Sequence, residues 1–171
     1  MATDRLRPRD LEVRVARDEG DLAAHFRVRH AVFVEEQGIF AGSDRDRWDE
    51  AAVHVIATLG PLVVGAVRLY PLDEAGLWQG DRLAVLPEVR RRLRAGAPLV
   101  RLAVATAGER GGHTMIANIQ VPNVPFFMHL GWRRVGLLAP YHGLTHQRMA
   151  ITLSAAPAAF DEDAYAWALG S

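Results

Sequence analysis

DRLAVLPEVRRRLRAGAPLVRLAVATAGERGG, residues Asp81–Gly112, is the stretch on which the fold turns. Its opening, Asp81–Leu86, reads as a short strand that Pro87 closes. A basic turn with Arg90, Arg91, Arg92 and Arg94 follows. From Ala95, a helical repeat of Leu99, Leu102, Ala103 and Thr106 runs to a glycine pair suited to a helix C-terminus. A strand, a turn and a helix in this order can seat an anion. The first N–H groups of a helix lack internal partners and its dipole adds partial positive charge. Ala95, Gly96 and Ala97 are small enough to let a ligand reach the backbone. Arginines at a helix start oppose the dipole, which a bound anion would relieve; a solvated helix start is the alternative.

Working outward, the polar MATDRLRPRD reads as a frayed start, and Leu11 to Ala16 alternates as a half-buried strand. Asp18 or Asp21 can cap a helix that ends near Gly38. VHVIATL and LVVGAVRLY form a hairpin about Gly60-Pro61. After Gly112 come a strand (TMIANIQV), a short helix (NVPFFMHLG) and two last strands (WRRVGLL and QRMAITLS). The order is β-α-β-β-β-α-β-α-β-β. The tail from Pro157 to Ser171 is a short helix or loose.

Composition narrows the function. A chain of 171 residues, half of them hydrophobic, suits one domain spanning residues 1–171. Twenty basic residues against twenty acidic ones do not make the broad positive surface of a nucleic-acid binder. All of the former are arginine, spread along the chain. The absence of cysteine excludes thiolate zinc sites and a cysteine nucleophile. No apolar run approaches the ~20 residues needed to cross a bilayer, and no signal peptide is visible, so a cytoplasmic protein with no membrane partner is expected. Asp44, Asp46 and Asp49 lack the glycine and terminal glutamate of a calcium loop, and no metal is expected.

The chain resembles the GNAT acetyltransferases, whose pyrophosphate loop reads R/Q-x-x-G-x-G/A between a strand and a helix. The matching residues are Arg92-Leu93-Arg94-Ala95-Gly96-Ala97, with Ala95 where the family usually has its first glycine. Asn123 to Trp132 is similar to the family's N-x-x-A-x-x-F-Y-x-x-x-G-F signature. Arg29 to Gln37 resembles the R-x-x-V-F-V-x-E-Q opening of a branch related to acyl-homoserine-lactone synthases, and Tyr141, Gly143, His146 and Met149 fit the same branch. The bacterial nitrogen-starvation acetyltransferases are the subgroup suggested.

The resemblance implies an α/β (α+β) fold with a mixed, mostly antiparallel central sheet, a splayed strand pair and flanking helices. It implies transfer of acetyl from acetyl-CoA to a small-molecule amine by direct attack. A pantetheine arm would bond to the backbone of Leu83, Ala84 and Val85 as an added strand does. The phosphates would lie on Arg90, Arg91, Arg92, Arg94, Ala95, Gly96 and Ala97, with Asn123 and Phe127 completing the CoA site. Phe127 occupies the position of the usual tyrosine acid, so the thiolate leaves unassisted or Tyr141 supplies the proton. Glu36, Asp81, His142 and His146 are candidate bases. Arg29 and Arg82 either hold a substrate carboxylate or pair with Asp49 or Asp81. A carrier-protein-dependent acyltransferase and a non-catalytic CoA-binding module are the alternatives. A homodimer could form if the final strand offers an open edge.

Overall fold

Gly60, at φ +60, reverses the chain between β2 (Val53–Leu59) and β3 (Leu62–Pro71), the left-handed turn that glycine adopts without strain. The two strands pair antiparallel from Val53↔Leu69 to Leu59↔Leu62, as expected from their β-branched runs. β1 (Leu11–Val15) lies antiparallel on the other side of β2, from Leu11↔Leu59 to Val15↔Val55. The computed structural model describes residues 6–153; the expected tail at Pro157–Ser171 and residues 1–5 of the expected frayed start lie outside them. Within the described start, Pro8–Asp10 forms a single 3-10 turn.

Of the two candidate caps, Asp18 is the one used: its carboxylate accepts the Asp21 N–H at 2.8 Å and opens α1 (Glu19–Arg29). Asp21 instead pairs with Arg14. Past Arg29 the coil widens into a π-helical stretch, His30–Glu36, in which the Gln37 N–H donates to Val32 O at 2.9 Å. Gly38 ends it at φ +61. Val28, Val32 and Phe33 from these two segments pack with Ala66 and Ala84.

β4 (Leu77–Val85) starts earlier than its sequence signal, and the basic run after it is not a turn. Pro87–Leu93 is a helical segment, α2, so Arg90, Arg91 and Arg92 stand on a helix and only Arg94 lies in the turn to α3 (Gly96–Glu109). Pro at the first helical position and Glu88 in the first turn stabilise that short segment. α3 ends as expected: Gly111, at φ +88, donates to Gly108 O at 3.1 Å and Gly112 to Ala107 O at 2.8 Å, a Schellman closure.

β5 (Thr114–Gln120), α4 (Val124–His129), β6 (Arg133–Arg134), β7 (Ala139–Tyr141) and β8 (Leu144–Thr152) complete the described chain. The expected strand at WRRVGLL shrinks to β6, because Gly136 at φ +70 turns the backbone out and Leu137 is 91% exposed. β7 forms an additional hairpin with β8.

The eight strands make an open, mostly antiparallel sheet in the order β1-β2-β3-β4-β5-β8-β6, with β7 paired to β8. Among the described residues, β8 is the last strand, and it pairs with β5 on one edge and with β6 and β7 on the other. β4 and β5 are parallel and in register over Leu77–Gln79 with Thr114–Ile116; Gly80–Val85 and Ala117–Gln120 have no register partner in each other. The backbone divides into two compact units, one of the described residues up to Tyr70 with Asp81–Ala103, the other of Pro71–Gly80 with the described residues from Val104 on. The first contains the buried cluster of Val28, Val32, Phe33, Ala66 and Ala84, the second that of Leu77, Ile116, Val135 and Ala150.

Candidate active site

In the first unit, β4 leads through α2 to the start of α3. Leu83 and Val85 are half-buried and Ala84 is buried. Arg91, Arg92 and Arg94 are exposed around the α2–α3 corner. Arg94 carries the left-handed conformation of that corner, φ 42, while Ala95 stays out of it, which is why alanine is tolerated where a glycine is usual. The Leu99 N–H donates to Ala95 O at 3.2 Å, so Gly96 and Ala97 are the first-turn residues whose N–H groups an α-helix leaves unpaired. Pro98 brings no N–H to that turn.

Arg90 is differently engaged. Its guanidinium clasps both Glu36 oxygens, at 2.9 and 2.7 Å, and donates to Val85 O at 2.8 Å. The bond from Arg90 holds the Glu36 carboxyl below its ordinary pKa. A carboxylate clamped in this way is a weaker base, which counts against Glu36 as the proton acceptor.

Arg29 and Arg82, the two candidate carboxylate readers, sit inside a buried ionic network. Arg29 is fully buried and donates from Nε to Asp44 at 2.7 Å and from Nη1 to Asp49 at 2.6 Å. Arg82 also reaches Asp44, at 3.1 Å, and Asp46, at 3.3 Å; Asp81, its expected partner, is 3.9 Å away. Asp81 instead binds the buried Arg68 through two bonds of 2.7 Å, and Arg68 binds Asp46 as well. The pairing alternative is thus the arrangement found, with Asp44 as the shared anion. Arg82 holds φ 54 within β4, a strained conformation that the clamp to Asp44 and Asp46 maintains. Arg68 was missed by sequence reasoning, since an arginine within a hydrophobic strand carries no local sign of its partners.

At Asp49 and Arg68 burial works against ionisation, and pairing wins. Desolvation would raise the Asp49 pKa, but bonds from His54 and Arg29 take it far below the carboxylate range. Desolvation would lower that of Arg68, yet Asp81 and Asp46 raise it. Behind the network, His25 is wholly buried and its Nδ1–H donates to Val55 O at 3.1 Å, leaving Nε2 to face Arg29 Nη1 at 3.4 Å. Burial first, then the neighbouring His54 and Arg29, depress its pKa from 6.5 to about 3.

The sign follows from the depressed value. Folded His25 stays neutral while the unfolded chain takes up a proton below pH 6.5, so its contribution to stability falls as pH falls between 6.5 and about 3. Between pH 7 and 5 the loss is about 2 kcal/mol. Urea denaturation should show His25→Gln losing that much less than the wild type over this interval; identical losses would contradict the assignment.

In the second unit the candidates gather at the β7–β8 hairpin. The rings of Tyr141 and His146 are 5.2 Å apart, edge to face, and His142, at φ 49, contacts Tyr141. His146 is buried, and its Nδ1 lies 2.8 Å from Leu144 O. Nδ1 must donate to that carbonyl, so in the neutral ring the accepting nitrogen is Nε2, the arrangement a base requires. His146 stands opposite Gln120 on β5, and Arg148 opposite Asn118. Asn123 is exposed at the start of α4 without a side-chain cap bond, and Phe127 is buried against Trp132. Among the described residues no cluster of metal-ligating side chains occurs and no helix is long and apolar enough to cross a membrane.

The acetyltransferase (GNAT) family matches residues 21–132, and the chain belongs to that family. It is 30% identical over 119 residues to the uncharacterized N-acetyltransferase YjcF of Bacillus subtilis, covering 70% of this chain and 83% of that protein. Its fold is similar to that of ElaA from Escherichia coli (TM-score 0.72, 21% identity, covering 82% of this chain and 98% of ElaA). It is also similar to BjaI, a CoA-dependent acyl-homoserine lactone synthase solved with SAM and isopentyl-CoA (TM-score 0.65, 23% identity, covering 77% and 75%). Family and fold together define an acyltransferase.

Proposed function

We propose that this enzyme transfers acetyl from acetyl-CoA to the amine of a small molecule by direct attack. The observation that carries the reading is the β4–β5 register, which stops at Gln79↔Ile116 although both strands continue. A strand that runs on without that neighbour can bond to the amides of a pantetheine arm through Leu83, Ala84 and Val85. The pyrophosphate would take the N–H groups of Gly96 and Ala97 at the start of α3 and the exposed Arg91, Arg92 and Arg94. Ala95 shapes that corner. Arg90 contributes by pinning Val85 and Glu36.

Of the candidate bases, His146 has the geometry for the role, with Nδ1 committed to a carbonyl and Nε2 set to accept the amine proton. Tyr141, beside it, would donate to the departing thiolate. The enzyme would work as a cytoplasmic single-domain protein without metal, nucleic acid or membrane.

Thiol release from acetyl-CoA in the presence of pooled amines tests this. The expected result is CoA release that requires an amine. A preference for a carrier-protein thioester would favour the second acyltransferase class, and CoA binding without turnover on any amine would favour a binding module.

A further inference from the structure

Arg148 differs from the arginines of the ionic network. Its Nε donates to Asn118 Oδ1 at 2.9 Å, its Nη1 is enclosed with no hydrogen-bond partner, and no described carboxylate lies within 4.0 Å of it. Burial alone lowers its pKa. Arg14, Arg29, Arg68, Arg82 and Arg90 each have an aspartate or glutamate. A half-buried cation without a counter-ion is costly, and an anion bound beside it would relieve that cost.

Its position says which anion. Arg148 and His146 are alternate residues of β8, on the same side of the strand and roughly 7 Å apart along it. Asn118, which steers the guanidinium, lies on β5 two residues beyond the last one in register with β4. Arg29 and Arg82, the sequence's candidates for a carboxylate, are committed to Asp44.

We infer that Arg148, oriented by Asn118, binds the carboxylate of the acceptor while the acceptor's amine is presented to His146, so that the substrate class is an amino acid or a close amino-carboxylate. The inference rests on the acetyltransferase reading above. Guanidinium and carboxylate form paired, charge-assisted hydrogen bonds that an amide cannot reproduce.

Amino acids and their carboxamides, compared as acceptors in matched pairs, give the test. The wild type should favour the acid over its amide by about 10- to 100-fold in kcat/KM. Arg148→Met should erase that preference and leave the KM for acetyl-CoA and the melting temperature in place, and Arg148→Lys should restore part of it. Equal use of acid and amide, or acceptance only of amines without a carboxylate, overturns the inference and leaves the acetyltransferase intact. If CoA does not bind and no amine reacts, the functional reading itself fails and the inference falls with it.

Discussion

Replacing Arg29 with Met is expected to lower the free energy of unfolding by about 3–5 kcal/mol, the usual cost of removing one partner from a buried ion pair. Arg29 is completely buried and serves two carboxylates at once, Asp44 and Asp49, which are 3% and 10% exposed. Methionine fills a similar volume but returns no charge, so Asp44 keeps only Arg82 and Asp49 keeps Arg68 and His54. Asp44 would then have lost one of its two cationic partners and Asp49 one of its three, with both carboxylates still desolvated. The same network ties the segment around Arg47–Glu50 to β3 and β4 through Arg68 and Arg82. Urea denaturation measures the effect. A loss under 1 kcal/mol would mean that these pairs do not hold the folded chain together.

His146→Gln is expected to reduce kcat by about 10²–10⁴-fold, the range for loss of a positioned general base. Glutamine keeps a donor for Leu144 O, the contact that fixes the imidazole, but offers no basic nitrogen. KM for acetyl-CoA and the melting temperature should therefore hold. Tyr141→Phe should cost less, because a thiolate is a tolerable leaving group. An unchanged kcat in the His146 variant would remove it from the chemistry.

Much of this was legible where the signal was local. Gly60-Pro61 announced the β2–β3 turn, the pair Asp18 and Asp21 the start of α1, and Gly111-Gly112 the end of α3. The basic run was misread because four arginines in five positions look like a turn that seats an anion, yet Pro87 and Glu88 were a helix start in plain sight. The WRRVGLL strand failed for the opposite reason: its hydrophobic residues suggested pairing, and Gly136 carried the backbone away from the sheet after two residues.

The site was less legible because its pairings are long-range. For Arg82 the sequence leaves a substrate carboxylate, Asp49 or Asp81 open, whereas its principal anion is Asp44, 38 positions earlier. Arg29 reaches Asp49, 20 positions away, and Arg68 reaches Asp46, 22 away. Composition supplies such charges in equal numbers without saying which meet. Arg148 had no mark in the sequence at all; what singles it out is the lack of an acidic partner on a sheet face, a property of three dimensions.

The central claim is that CoA binds across β4 and the start of α3, and calorimetric titration with CoA tests it most directly. The account predicts saturable one-to-one binding that Arg92→Ala combined with Arg94→Ala weakens by about tenfold or more, the worth of lost charge-assisted contacts to phosphate. Absence of CoA binding by the folded wild type, or affinity unchanged by the double replacement, would contradict it.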